Sequence, residues 1–241
     1  MKRTLVTSTL MTLLSARALG CGVDFFLCDP ARVPENLETL SLTSFRWERF
    51  GADSEFELQT GIVHPFHKRI AFDGYFSAGD DGDGWHAETI VPGLLLDLTP
   101  DLEASRFRLG IFTAYKFAFQ DDEDATYLSA TQFDARDQWE SRFIVETDLT
   151  KKLRLVGNVL NVVYEGRVAW GYAAGARYLL QEELSLGVEA IGDFDSDGRQ
   201  QVFGTAAYEP VEDVVVRLAL GAGLSERAPD FALVAAFTFG F

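Results

Sequence analysis

The sequence predicts an all-β fold, a closed antiparallel up-and-down transmembrane β-barrel of about 12 strands. Three observations predict it. From residue 40 onward the chain has no helical period and falls into segments of about 9 to 14 residues that alternate apolar with polar or small side chains, a length suited to a tilted membrane-crossing strand. The connections between these segments alternate in character, short turns with longer or more acidic loops. In the resulting register Trp47, Trp85, Trp139 and Trp170 all fall at or near the same ends of strands, the level at which amphipathic rings favour a membrane interface.

The chain opens with Lys2 and Arg3, the apolar run TLVTSTLMTLLSA and the small-x-small site Ala16-Arg17-Ala18. That pattern is a secretory signal covering residues 1–20, too short to stay behind as a spanning helix. Residues 21–40 follow as a periplasmic N-terminal segment or a plug, and residues 41–241 form the barrel. Cys21 and Cys28 admit two readings, a small disulfide loop in an oxidising compartment or lipidation of Cys21. No histidine lies near them to complete a zinc site.

The first strand, near 41–50, runs outward. Short turns then fall near His64 to Lys68, Thr99 to Glu103, Thr150 to Lys152, Gln181 to Glu183 and Glu209 to Asp213. The other side carries the loops 79–86, 118–138, 165–167, 195–199 and 225–230. Short periplasmic turns and longer outer loops are the asymmetry of outer-membrane barrels, and an even strand count returns both termini to the periplasm. His64 and His67 read as turn residues. Pro92-Gly93 interrupts the strand at 87–98, as at a bulge, because Pro cannot donate to the ladder. Strand 213–224 sets Val214, Val216, Leu218 and Leu220 on one face, with Arg217, Ala219, Gly221 and Gly223 on the other. Along the final strand Phe231, Leu233, Ala235, Phe237, Phe239 and Phe241 alternate with small residues. A soluble sandwich also alternates, but its core would not collect four tryptophans at one level. Gly171, Gly175, Gly187, Gly221, Gly223 and Gly240 fall on the interior face, where the sheet must bend.

The same register predicts the residues that line the lumen: Arg106, Arg108, Lys116, Glu140, Arg142, Glu146, Arg154, Arg177, Glu189 and Arg217. Lys152, Glu55, Glu57, Glu88 and Asp148 belong with them. The basic members concentrate between residues 104 and 180, so they could form a positive wall that attracts small anions. Alternatively they pair across neighbouring strands.

A net charge of −16 repels nucleic acid and offers no basic stripe. Asp80, Asp81, Asp83 and the run Asp121 to Asp124 could hold divalent cations loosely at the outer loops. Asp193, Asp195, Asp197 and Gly198 repeat the first half of a calcium loop, but its twelfth position is Gly204 where a Glu is needed.

The terminal Phe241, preceded by Phe239 and Phe237, resembles the C-terminal insertion signal of outer-membrane proteins. The stretches GYAAGARYLLQEELSLGVEAIGDF and LALGAGLSERAPDFALVAAFTFGF, within residues 171–241, are similar to the last third of porin-like transporters of the meta-pathway of phenol degradation. That resemblance implies passage of small molecules across the outer membrane of a Gram-negative bacterium and carries no catalytic residue over. FDSDGR at 194–199 also resembles the active-site pattern of outer-membrane phospholipases at Ser196, Gly198 and Arg199, but Phe194 stands where the base should be. The sequence therefore predicts a passive or facilitated pore for small solutes, with a non-conducting structural, anchoring or surface-binding barrel as the alternative. It predicts no enzyme and no cofactor. Outer-membrane lipids, lipopolysaccharide and the barrel-assembly machinery are the partners it implies.

Overall fold

A computed structural model describes residues 31–34, 38–80, 82, 84–100, 105–119, 129–130, 137–211 and 213–241. The signal at 1–20, Cys21, Cys28, Asp81, Asp83 and Asp121 to Asp124 lie outside the described residues.

Twelve strands follow one another along the chain: β1 (Leu40–Phe50), β2 (Asp53–His67), β3 (Ile70–Asp80), β4 (His86–Asp97), β5 (Phe107–Ala118) and β6 (Gln138–Asp148). The second half holds β7 (Leu153–Tyr164), β8 (Arg167–Gln181), β9 (Leu184–Asp193), β10 (Gln200–Val211), β11 (Val214–Gly223) and β12 (Phe231–Gly240). Each pairs antiparallel with its sequence neighbours, and β1 pairs with β12 from Leu40↔Gly240 to Arg49↔Phe231, so the sheet closes on itself. Closure leaves no edge to pair with another chain. Thr39 and Phe241 extend the seam by exchanging two backbone hydrogen bonds of 3.1 and 3.0 Å. We call the end that carries Leu40 and Gly240 the terminal end and the opposite one the loop end.

Alternation sorts the side chains by face, and the fold is inside out relative to a soluble protein. Phe56, Leu58, Ile62, Leu94, Phe143, Val188, Leu218 and Phe237 stand exposed on the outer wall. Lys116, Glu146, Arg154, Glu189 and Arg217, each at most 3% exposed, point inward. That arrangement suits a solvent of hydrocarbon outside and polar groups within. Aromatic rings collect near the loop end of the outer wall: Trp47 against Phe231 at 5.7 Å, Tyr115 against Trp139 at 6.2 Å and Phe76 against Phe119 at 6.2 Å. Trp85 and Trp170, both more than half exposed, lie at the same end of β4 and β8.

Some local features differ from the sequence reading. His64 and His67 are the last residues of β2 rather than a turn; the strand runs on because Pro65 is absorbed at a register shift between Pro65 and His67. The connection at 165–167 is a two-residue hairpin in which Glu165 and Gly166 both take positive φ, 47° and 77°, the geometry that matches strand twist. The β4–β5 ladder skips from Ile90↔Phe117 to Gly93↔Ala114 across Pro92, while the register of β4 shifts against β3 between Ser77 and Ala78.

Candidate functional site in the barrel interior

Inward-pointing charges gather in two tiers, one toward each end of the barrel. Between them lies a belt of Val91, Phe112, Ile144, Leu160, Ala173 and Ala219, all buried, interrupted by Arg142, Asn158 and Glu189.

The loop-end tier is built around Glu48 and Arg199. Arg199 precedes β10, turns inward and donates from Nη2 to both carboxylate oxygens of Glu48 at 2.6 Å. Its Nε donates to Gln201 at 3.0 Å, and its guanidinium lies 6.0 Å from the Phe50 ring centroid. Gln201 completes the triangle by donating to Glu48 at 3.3 Å. On β5 and β6, Lys116 lies 3.3 Å from Glu140, which also accepts from Gln138 at 3.1 Å and faces Arg142 at 3.9 Å. The guanidinium of Arg142 sits 5.3 Å above the Phe112 ring. Asp193, at the end of β9, accepts from Ser129 Oγ at 2.7 Å and from the Ala130 amide at 3.0 Å, so part of the β5–β6 connection is fastened to the opposite side of the interior.

The terminal-end tier centres on Glu146 and Asp148 of β6. Arg154 of β7 meets Asp148 at 2.8 Å and Glu146 at 3.5 Å. Arg32, eight residues before the first strand, enters the same cluster, pairing with Glu146 through Nε and with Asp148 through Nη2 at 2.6 Å. Arg108 pairs with Asp97 at 3.4 Å on the neighbouring strands. Arg177 and Arg217 line a narrow crevice with Ser185, Gly187, Thr205 and Ala207, and Arg217 donates to Thr238 at 3.0 Å.

Of the side chains singled out in the sequence, Arg108, Lys116, Glu140, Arg142, Glu146, Arg154, Arg177, Glu189 and Arg217 therefore sit on the inner face. Arg106 and Lys152 do not: both precede their strands and are exposed in turns at the terminal end. Phe237 and Phe239 face outward, and Phe239 stacks with Phe241 at 6.0 Å. Sequence reasoning read Asp193 and Arg199 only as parts of an outer turn and singled out neither Glu48 nor Arg32, yet all four make interior contacts. Arg199 and Asp193 flank an Asp-Gly turn and read as loop; Arg32 belongs to no strand. Ser196 is exposed and donates to Asp197 at 3.4 Å, and His64 bonds Thr39 at 2.8 Å at the other end of the barrel. Among the described residues no cluster of three or more His, Cys, Asp or Glu side chains could hold a metal.

No family model matches the chain, and no curated protein does. Solved structures do share its fold. The KdgM porin superposes with a TM-score of 0.59 at 8% identity, over 83% of this chain and 99% of that one. An outer-membrane channel from Pseudomonas putida F1 gives 0.56 at 15% identity, over 86% and 99%. Outer membrane phospholipase A from Escherichia coli gives 0.52 at 11% identity, over 87% and 97%. The twelve-stranded up-and-down barrel is thus shared with outer-membrane porins and channels and with an enzyme.

Proposed function

We propose that the protein is an outer-membrane pore of narrow bore, passing small solutes between its two charged tiers, and that it is not an enzyme. One observation carries the reading. Arg46 near the loop end, Arg142 midway and Arg108 near the terminal end point inward, yet their side chains keep 15%, 18% and 15% of their surface accessible. Accessible ionised groups at three levels of the inner face support a water-lined interior. Paired charges lining such an interior set which solutes it admits.

The outward apolar band supports a lipid environment, and the shared fold with porins and channels supports the outer membrane of a Gram-negative cell. Phe194 leaves Ser196 with no imidazole to take its proton, which supports a non-catalytic role. Acidic outer-loop residues such as Asp80 and Asp195 suit loose binding of divalent cations that also bridge lipopolysaccharide. Planar-bilayer recording of the folded protein tests the pore: discrete conductance steps are the expected result, and a silent membrane overturns it. A lipase assay tests the rest, with phospholipid hydrolysis that disappears in Ser196→Ala as the contrary outcome.

A further inference from the structure

The segment Ala31–Pro34 lies inside the barrel although it belongs to no strand, and this placement goes beyond what a pore requires. Ala31 is 0%, Arg32 7% and Val33 5% exposed. We propose that this segment is a tethered stopper, held in the terminal-end mouth by Arg32 on a clasp of Glu146 and Asp148, and that releasing it widens the passage. The proposal rests on the pore reading above.

The wall is shaped to receive the segment. Gly110 of β5 faces it, and a Cβ there would stand 3.1 Å from the Ala31 Cα and 3.3 Å from its Cβ, a tight contact that the two backbones could accommodate only by a shift of a few tenths of an ångström. Val33 joins the buried apolar cluster that includes Ile144 and Val156. The clasp is incomplete without Arg32. Glu146 and Asp148 both pair with Arg154 of the wall, and Arg32 brings a second guanidinium from outside the sheet onto the same two carboxylates. The Ala31 amide donates to Glu146 Oε2 at 3.2 Å, fixing the backbone as well as the side chain.

The hold is also of a releasable kind. Among the described residues the segment makes no backbone hydrogen bond to the sheet, so no ladder need break for it to leave. Its attachment is a few ionic contacts and one small apolar patch, whereas each wall strand is stitched along its length to two neighbours.

Single-channel recording of three forms tests this, each first shown to be folded by heat-modifiable electrophoretic mobility. Arg32→Ala removes the clasp's partner, and Glu146→Gln with Asp148→Asn removes the clasp. Ala31→Cys with Gly110→Cys, in a Cys21→Ser, Cys28→Ser background, locks the segment by a disulfide. We expect unitary conductance to rise at least twofold in both release variants, and the oxidised lock to stay at or below the wild-type level. Equal conductance in wild type, release variants and lock overturns the stopper and leaves the pore standing. A silent wild type overturns the pore reading itself and, with it, the stopper, which narrows the passage without closing it.

Discussion

Glu48 and Arg199 are 151 positions apart in the chain and share two hydrogen bonds of 2.6 Å in the barrel interior. Both side chains are nearly inaccessible, 6% and 3% exposed, and Arg199 is the nearest cation to Glu48, with Arg46 farther away at 4.0 Å. Removing one partner strands a buried charge, at a cost of about 3 to 5 kcal/mol. Arg199→Ala is therefore predicted to lower the unfolding free energy by up to that much, read from urea titration, and Glu48→Gln with Arg199→Gln to recover part of it; equal loss in both variants would contradict the pairing. This pair was not legible in the sequence. Alternation tells which way a side chain points within a strand, and Glu48 could be given a face from it. It carries no information about which distant group completes the pair, and Arg199, sitting outside any strand, had no predicted face at all. Lys116 and Glu140 were easier, because a hairpin neighbour pairs in a register that spacing approximates.

At the scale of elements, rings fill the spaces that glycines leave in the wall. Phe203 of β10 lies over Gly221 of β11, its cross-strand partner, and Phe112 of β5 lies over Gly93 of β4. A ring over a glycine seals a strand pair where the sheet bends. Gly221→Leu would drive into the Phe203 ring, and its predicted cost is about 1 to 3 kcal/mol from overpacking, read as a lower unfolding midpoint. Gly204→Leu on the same strand as Phe203 meets open space and should cost less. The β5–β6 connection is bound differently, through Asp193 to Ser129 and Ala130. Asp193→Ala should leave the fold intact and expose that connection, seen as new proteolytic cleavage between β5 and β6 on intact cells; unchanged cleavage would mean other contacts suffice. Strand existence was legible because each strand turns an apolar face outward and a smaller or polar face inward, which forces a period of two. Ends were less so. Arg106 and Lys152 continue the alternation on paper, but the β4–β5 and β6–β7 turns claim them before the ladder starts.

Across the whole molecule the outer wall is matched to hydrocarbon, which makes its sensitivity to charge the opposite of the interior's. Leu218, midway along β11 and 53% exposed, faces outward beside inward-facing Arg217. Leu218→Arg is predicted to lower stability by about 2 to 4 kcal/mol in lipid vesicles. In detergent of adjustable shape the same change should cost less; equal penalties in both media would argue against a bilayer-facing wall.

The seam between β1 and β12 has a temporal meaning. Its two strands are the first and the last of the sheet, held together over ten residue pairs. A growing or exported chain therefore carries an unprotected strand at each end until its final residues arrive, and no partial product is a smaller version of the finished ring. Assembly must wait for Phe231 to Phe241, and a chain cut short of them presents open hydrogen-bonding edges that invite aggregation. Completeness is tested by geometry alone: only a whole chain can close.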